Sequence, residues 1–180
     1  QKKVFKAAVL TKIKKIELQK FLVPNKLRDD QVLVNINYTG VCGSQIMEFL
    51  GHRGKDNYLP HALGHEAVGK VISIGKKVKK VSPKDEVILS WIKGKGIDYG
   101  GFQLTNVKNK TVNFGPISTF SSLAIVSENR VFLKPKKMSK VEAVLYGCAT
   151  PTGAGMVINQ LKEIKKKDKV CLIGVGGVGM

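Results

Sequence analysis

The sequence predicts an antiparallel β-rich domain followed by the opening of a βαβ unit. Two observations carry this expectation. Short stretches with apolar residues at alternate positions, separated by turn residues, dominate the first 90 residues. Helical segments then follow, and after them a short apolar stretch runs straight into a glycine-rich turn.

Residues 4–10 form a short apolar strand, and residues 15–23 alternate through Ile16, Leu18, Phe21 and Val23. Residues 31–38 alternate through Val32, Val34, Ile36 and Tyr38. Ser44 is placed to cap a short helix over 45–50, which Gly51 ends. Residues 67–74 are a strand closed by Gly75, Ser82-Pro83-Lys84-Asp85 is a turn, and residues 86–91 are the next strand. Between Ile92 and Pro116 five glycines break the periodicity, and a long loop is expected. A strand resumes over 121–126, and Ser139 caps a helix that runs toward Tyr146. A second helix is expected over 152–163, then a short buried strand over 169–173. No internal repeat is visible. The resulting division is a first domain over 1–150 and, over 151–180, a linking helix with the start of a second domain.

Composition narrows the function class. The 180 residues are 43% hydrophobic, so the chain should bury a core. No apolar run approaches the roughly 18 residues of a membrane-spanning helix, and no leader peptide is expected at the start. The net charge of +18 is made almost wholly of lysine, with Arg28, Arg53 and Arg130 the only arginines. Nucleic-acid readers favour the bidentate arginine fork, so a solvated lysine surface is expected rather than a nucleic-acid partner. Such a field still draws anionic ligands. Three widely spaced cysteines, Cys42, Cys148 and Cys171, are no disulfide framework and point to a reducing cytoplasm.

Several residues carry candidate chemistry. Gly174-Val175-Gly176-Gly177-Val178-Gly179 is a G-x-G-x-x-G pattern after an apolar stretch, the context of a dinucleotide-binding turn. Backbone N–H groups at the following helix start would hold the pyrophosphate. A glycine turn without function is the alternative. The acidic residue expected on the ribose, about 20 residues further on, lies beyond Met180. Cys42, His65 and Cys148 offer two thiolates and one imidazole, a donor set suited to Zn²⁺ with a fourth position left open. Their spacing alone does not decide between that and buried structural residues.

Gly64-His65-Glu66, Gly69, Gly75 and Val78 reproduce G-H-E-x2-G-x5-G-x2-V. Thr39-Gly40-Val41-Cys42 precedes this pattern, and Gly147-Cys148 with Thr152, Gly153 and Gly155 follows it. Together with Thr119-Phe120-Ser121 and the glycine turn, these segments resemble the zinc-dependent medium-chain alcohol dehydrogenases along the whole chain. The resemblance implies a twisted, partly open barrel of the GroES-like kind with flanking helices, followed by the first strand and turn of a Rossmann domain. It implies one catalytic Zn²⁺ held by Cys42, His65 and Cys148, an assignment for which alcohol dehydrogenase is itself the standard Cys₂His example. It implies NAD or NADP as cofactor and a small alcohol or aldehyde as substrate. In that chemistry the zinc-held alcohol becomes an alkoxide and passes hydride to the nicotinamide.

The same resemblance gives Ser44 the alcohol proton, places Glu66 beside the zinc and Thr152 near the nicotinamide, and sets Trp91 on the substrate pocket. For Ser44 a helix cap, and for Trp91 plain core packing, are the alternatives. Four departures stand out. Gln45 replaces an Asp that usually supports the zinc-bound imidazole. Met47 replaces a relay His, Gly43 replaces an Arg, and residues 92–116 lack the cysteines of a second, structural zinc. His52 and His61 are expected to be surface or structural. A homo-oligomer is expected of the full-length enzyme, and residues 1–180 alone are expected to bind zinc without dehydrogenase activity. The rival readings are a zinc-free quinone or enoyl reductase and a basic nucleic-acid-binding module on the same fold.

Overall fold

The computed structural model describes residues 3–161 and 163–180. Strand β1 (Val4–Lys12) turns through Lys14, whose φ is +61°, into antiparallel β2 (Lys15–Leu22). Then come β3 (Gln31–Thr39), helix α1 (Gly43–Phe49), the two-residue β4 (His61–Ala62), β5 (Glu66–Ile74) and β6 (Glu86–Ser90). They are followed by β7 (Phe102–Thr105), β8 (Thr111–Gly115), β9 (Leu123–Ser127) and β10 (Val131–Leu133). Helices α2 (Lys140–Leu145) and α3 (Ala149–Gly155) close the order, and α3 runs on into a π-helical turn, Met156–Gln160.

Two five-stranded sheets result, β2-β1-β4-β8-β7 and β10-β6-β5-β3-β9. All named pairings are antiparallel except His61 with Asn113, where β4 meets β8 in parallel. The sheets join at one corner, where Ala7 bridges Ser121 and the Ala8 N–H donates to the Phe120 carbonyl at 2.8 Å. This curls the β-structure into the expected partly open barrel.

Each sheet has its own apolar interior. In the second sheet Val32, Val34, Ala67, Val87, Leu89, Val126 and Val131 meet, all but Ala67 and Leu89 of the β-branched type that suits a half-buried pleated surface. In the first sheet an aromatic cluster forms: Phe114 lies edge-on to Phe21 at 4.9 Å and stacks on Phe102 at 5.6 Å. Helix α2 seals the outside of β5 and β6 through Ala143 and Val144, packed with Val68 and Ile88.

Ser139 caps α2 as expected. Its Oγ accepts from the Glu142 N–H at 3.2 Å, and the Ser139 N–H donates to the Glu142 carboxylate at 3.0 Å. Four expectations are corrected. The stretch 92–116 is not one loop, because it contains the β7–β8 hairpin. Its alternation (Phe102, Leu104; Val112, Phe114) is real but confined to runs of four and five residues between glycines. Ser44 is not the cap of α1; Cys42 is the N-cap and no side chain bonds the helix start. Helix α3 begins at Ala149 rather than Thr152 and ends in the π-turn. Residues 169–173 form no strand, and Val170, Leu172 and Ile173 are exposed. A parallel strand needs neighbours on its edges and crossover helices on its faces, and none is present among the described residues.

Candidate metal centre

Strand β3 ends at Thr39, and the chain passes Gly40 to Cys42 at the head of α1. His65 lies between β4 and β5, just after Gly64. Gly64 has φ +91°, and a Cβ there would stand 2.5 Å from the Phe120 N and the Thr119 Oγ1. Only glycine fits that turn. Three donors converge on the next carbonyl, that of Glu66: Thr39 Oγ1 at 2.8 Å, the Gly40 N–H at 3.2 Å and Thr119 Oγ1 at 3.2 Å. This junction ties the His65 segment to the Cys42 segment.

Cys148 is reached from the other side. Ser90 Oγ, at the end of β6, donates to the Gly147 carbonyl at 2.6 Å. A Cβ on Gly147 would meet the Leu89 carbonyl at 2.6 Å and the Glu66 Cβ at 2.7 Å. So close an approach sets Cys148 against Glu66 and His65.

The sulfurs of Cys42 and Cys148 and a ring nitrogen of His65 all lie within 4.8 Å of one another. That suits neighbouring ligands on bonds of about 2.3 Å to sulfur and about 2.0 Å to nitrogen. His65 Nε2 and Glu66 Oε2 are buried and have no hydrogen-bond partner. Burial pushes the Cys148 thiol up to about 11, with Cys42 and Glu66 adding to the effect. Burial lowers the His65 pKa, with Arg53 adding, and raises that of Glu66 against the pull of the Ala149 N–H. Each shift disfavours the charged form. A neutral imidazole with an unspent lone pair and two converging thiols fit one cation such as Zn²⁺, which would reverse these shifts.

The cluster lines a cavity of about 720 Å³. Ser44, Trp91 and Thr152 line it. Trp91 is 56% exposed, which removes the core-packing alternative. Its backbone carbonyl accepts from the Arg130 guanidinium. Thr152 Oγ1 donates to the Cys148 carbonyl at 2.7 Å. The amide oxygen of Gln45 is buried without a donor, so the bond to His65 that replaces the usual Asp contact is not formed. Gly174, Gly176, Gly177, Val178 and Gly179 are not part of this cavity. They form a turn closed by the Gly179 N–H on the Gly176 carbonyl at 3.0 Å, and Val178 packs on Gly153 of α3.

Sequence reasoning missed a second group, Glu48, Asp56 and His61, of which Glu48 and His61 line the same cavity.

Residues 28–136 match the family model described as the alcohol dehydrogenase GroES-like domain. The chain belongs to this family. Among curated relatives of the GroES-like alcohol dehydrogenases, S-(hydroxymethyl)glutathione dehydrogenase of Komagataella pastoris is 29% identical over 177 residues, covering 85% of this chain and 46% of that protein. Benzyl alcohol dehydrogenase from Acinetobacter calcoaceticus superposes with a TM-score of 0.70 at 28% identity, covering 89% of this chain and 49% of that one. An alcohol dehydrogenase zinc-binding domain protein from Burkholderia ambifaria gives a TM-score of 0.75 at 24% identity, covering 90% and 50%. The chain thus spans about half the length of the relatives it matches. Among the described residues no helix is long and apolar enough to cross a membrane.

Proposed function

We propose that this chain supplies the zinc-binding catalytic part of an NAD(P)-dependent alcohol dehydrogenase that acts on a small alcohol or the corresponding aldehyde. The observation that supports it most is the convergence of Cys42, His65 and Cys148 in the lining of a cavity, with His65 Nε2 buried and unpartnered. A zinc ion held by these three residues would act as a Lewis acid on the alcohol oxygen.

The chain's own residues supply the rest. Ser44, half-buried two positions after Cys42 and lining the cavity, would accept the alcohol proton at its Oγ. Glu66, whose pKa burial raises and whose Oε2 is buried without a partner, would place its carboxyl behind the ligands, where the charge of a bound metal would favour the carboxylate. Trp91 would cover the substrate carbon and exclude water from one wall. Thr152 would face the nicotinamide. The glycine turn at 174–179 would take the cofactor's pyrophosphate on its backbone N–H groups.

The test is the metal content of protein purified without chelator and desalted, followed by nicotinamide reduction with a panel of primary alcohols. About one tightly held zinc per chain is expected, and it should be lost in Cys148→Ala. A correctly folded protein that holds no zinc would instead support a zinc-free reductase.

A further inference from the structure

Glu48 comes from the last turn of α1, Asp56 from the loop after it and His61 from β4. His61 Nε2 is 2.8 Å from Asp56 Oδ2 and 3.7 Å from Glu48 Oε1. The side chains are only 10%, 16% and 27% exposed. We propose that Glu48, Asp56 and His61 form a second divalent-cation site in the wall of the cavity, distinct from the Cys42, His65 and Cys148 group.

The group is built and aimed. Asp56 Oδ1 accepts from the Tyr58 N–H at 2.8 Å, which turns Oδ2 toward the imidazole. His61 Nδ1 lies 3.3 Å from the Ala62 carbonyl, and its backbone is fixed between Leu10 and Asn113. A proton on Nδ1 for that carbonyl leaves the Nε2 lone pair facing two carboxylates. Three electron-rich atoms so close need a cation among them. A proton on Nε2 serves Asp56 alone, because 3.7 Å is beyond hydrogen-bond reach of Glu48. The neutral ring then leaves both carboxylate charges uncompensated in a largely enclosed place. Arg53 lines the cavity but makes no ion pair with either carboxylate among the described residues. A divalent cation neutralises both carboxylates and uses all three donors at once, which lie within 4.8 Å of one another.

The donor types set the ion. Two carboxylates and one imidazole are harder than two thiolates and one imidazole. They suit Mn²⁺, Fe²⁺, Co²⁺ or Zn²⁺ with several positions left to water or a ligand oxygen. Glu48 and His61 line the cavity, so those positions open into it. An ion there would hold a second oxygen of a polar ligand at a distance from the thiolate site. The proposal stands whether or not the thiolate site holds zinc.

The experiment loads the protein with one equivalent of zinc and titrates Mn²⁺, reading free Mn²⁺ by electron paramagnetic resonance. About one Mn²⁺ per chain is expected. Its affinity should fall at least about tenfold in Asp56→Asn, Glu48→Gln and His61→Ala, and should be kept in Cys148→Ala titrated without added zinc. The first two substitutions preserve shape, and they carry the test should His61→Ala fail to fold. No Mn²⁺ bound at millimolar concentration, or binding indifferent to all three substitutions, would show that the group is a proton-bridged ion pair only.

Discussion

Gly64 shows how much of the candidate centre depends on a residue with no side chain. Its φ of +91° and the 2.5 Å gap to the Phe120 N leave no room for a methyl group. Gly64→Ala should therefore destabilise the fold by about 3 kcal/mol or more and displace His65. Urea unfolding at equilibrium, with zinc affinity measured alongside, checks both effects, and a loss under about 1 kcal/mol would refute the steric argument. Glu128 is a second residue with a large local role. Burial pushes its pKa up, but the N–H groups of Lys79, Lys80 and Ile97 outweigh this and hold it below the usual 4.5. A carboxylate with a lowered folded-state pKa gives stability that is present above about pH 4.5 and is lost as pH falls through the folded value. Glu128→Gln should cost about 1–3 kcal/mol at neutral pH and flatten the acid limb of the stability curve. A parallel offset of the two curves down to low pH would count against it.

The ligand residues were legible in the sequence because donor chemistry belongs to the side chain itself. Cys42, His65 and Cys148 are what they are wherever the chain takes them. The meaning of His61 was not legible, since it depends on carboxylates brought in from α1 and a loop. The contacts of Gln45 were not legible for the same reason: the pattern names its position but not where its amide oxygen points.

At the scale of elements, the strands β1, β2, β3 and β5 were readable, β2 and β3 by their alternation, and the β7–β8 hairpin was not. Four- and five-residue strands give too few periods to stand out from a glycine-rich background. The hairpin is nevertheless anchored, because Phe114 is 3% exposed and meets the rings of Phe5, Phe21 and Phe102. Phe114→Ala should cost about 3–5 kcal/mol. Phe102→Ala, at the partly buried rim, should cost less, and the reverse order in thermal melts would contradict the packing described. Residues 169–173 fail in the opposite sense. Their composition reads as a buried strand, but a strand is a property of its neighbours, and the described residues provide none.

At the scale of the whole molecule, what the sequence concealed was pairing. Local periodicity shows that 31–39 is a strand. It does not show that β3 lies between β5 and β9, nor that β4 and β8 meet in parallel. Those partners decide which loops meet, and so where Cys42, His65 and Cys148 come together. The partly open barrel was reached through the family resemblance, not through periodicity.

The junction at the Glu66 carbonyl bears on the order in which this protein acquires its parts. The three thiolate-site ligands are 23 and 83 residues apart along the chain, by subtraction of their positions. The donors on that carbonyl come from Thr39, Gly40 and Thr119. An ion cannot gather ligands so distant before the strands between them have paired, because the loop-closure entropy has to be met first. Metal capture should then be a late event that leaves the folding transition state untouched. Stopped-flow refolding of metal-free protein should give the same rate with or without zinc, while unfolding should slow as zinc is raised. A refolding rate that climbs with zinc would mean that the ion helps to assemble the barrel, instead of arriving at one already made.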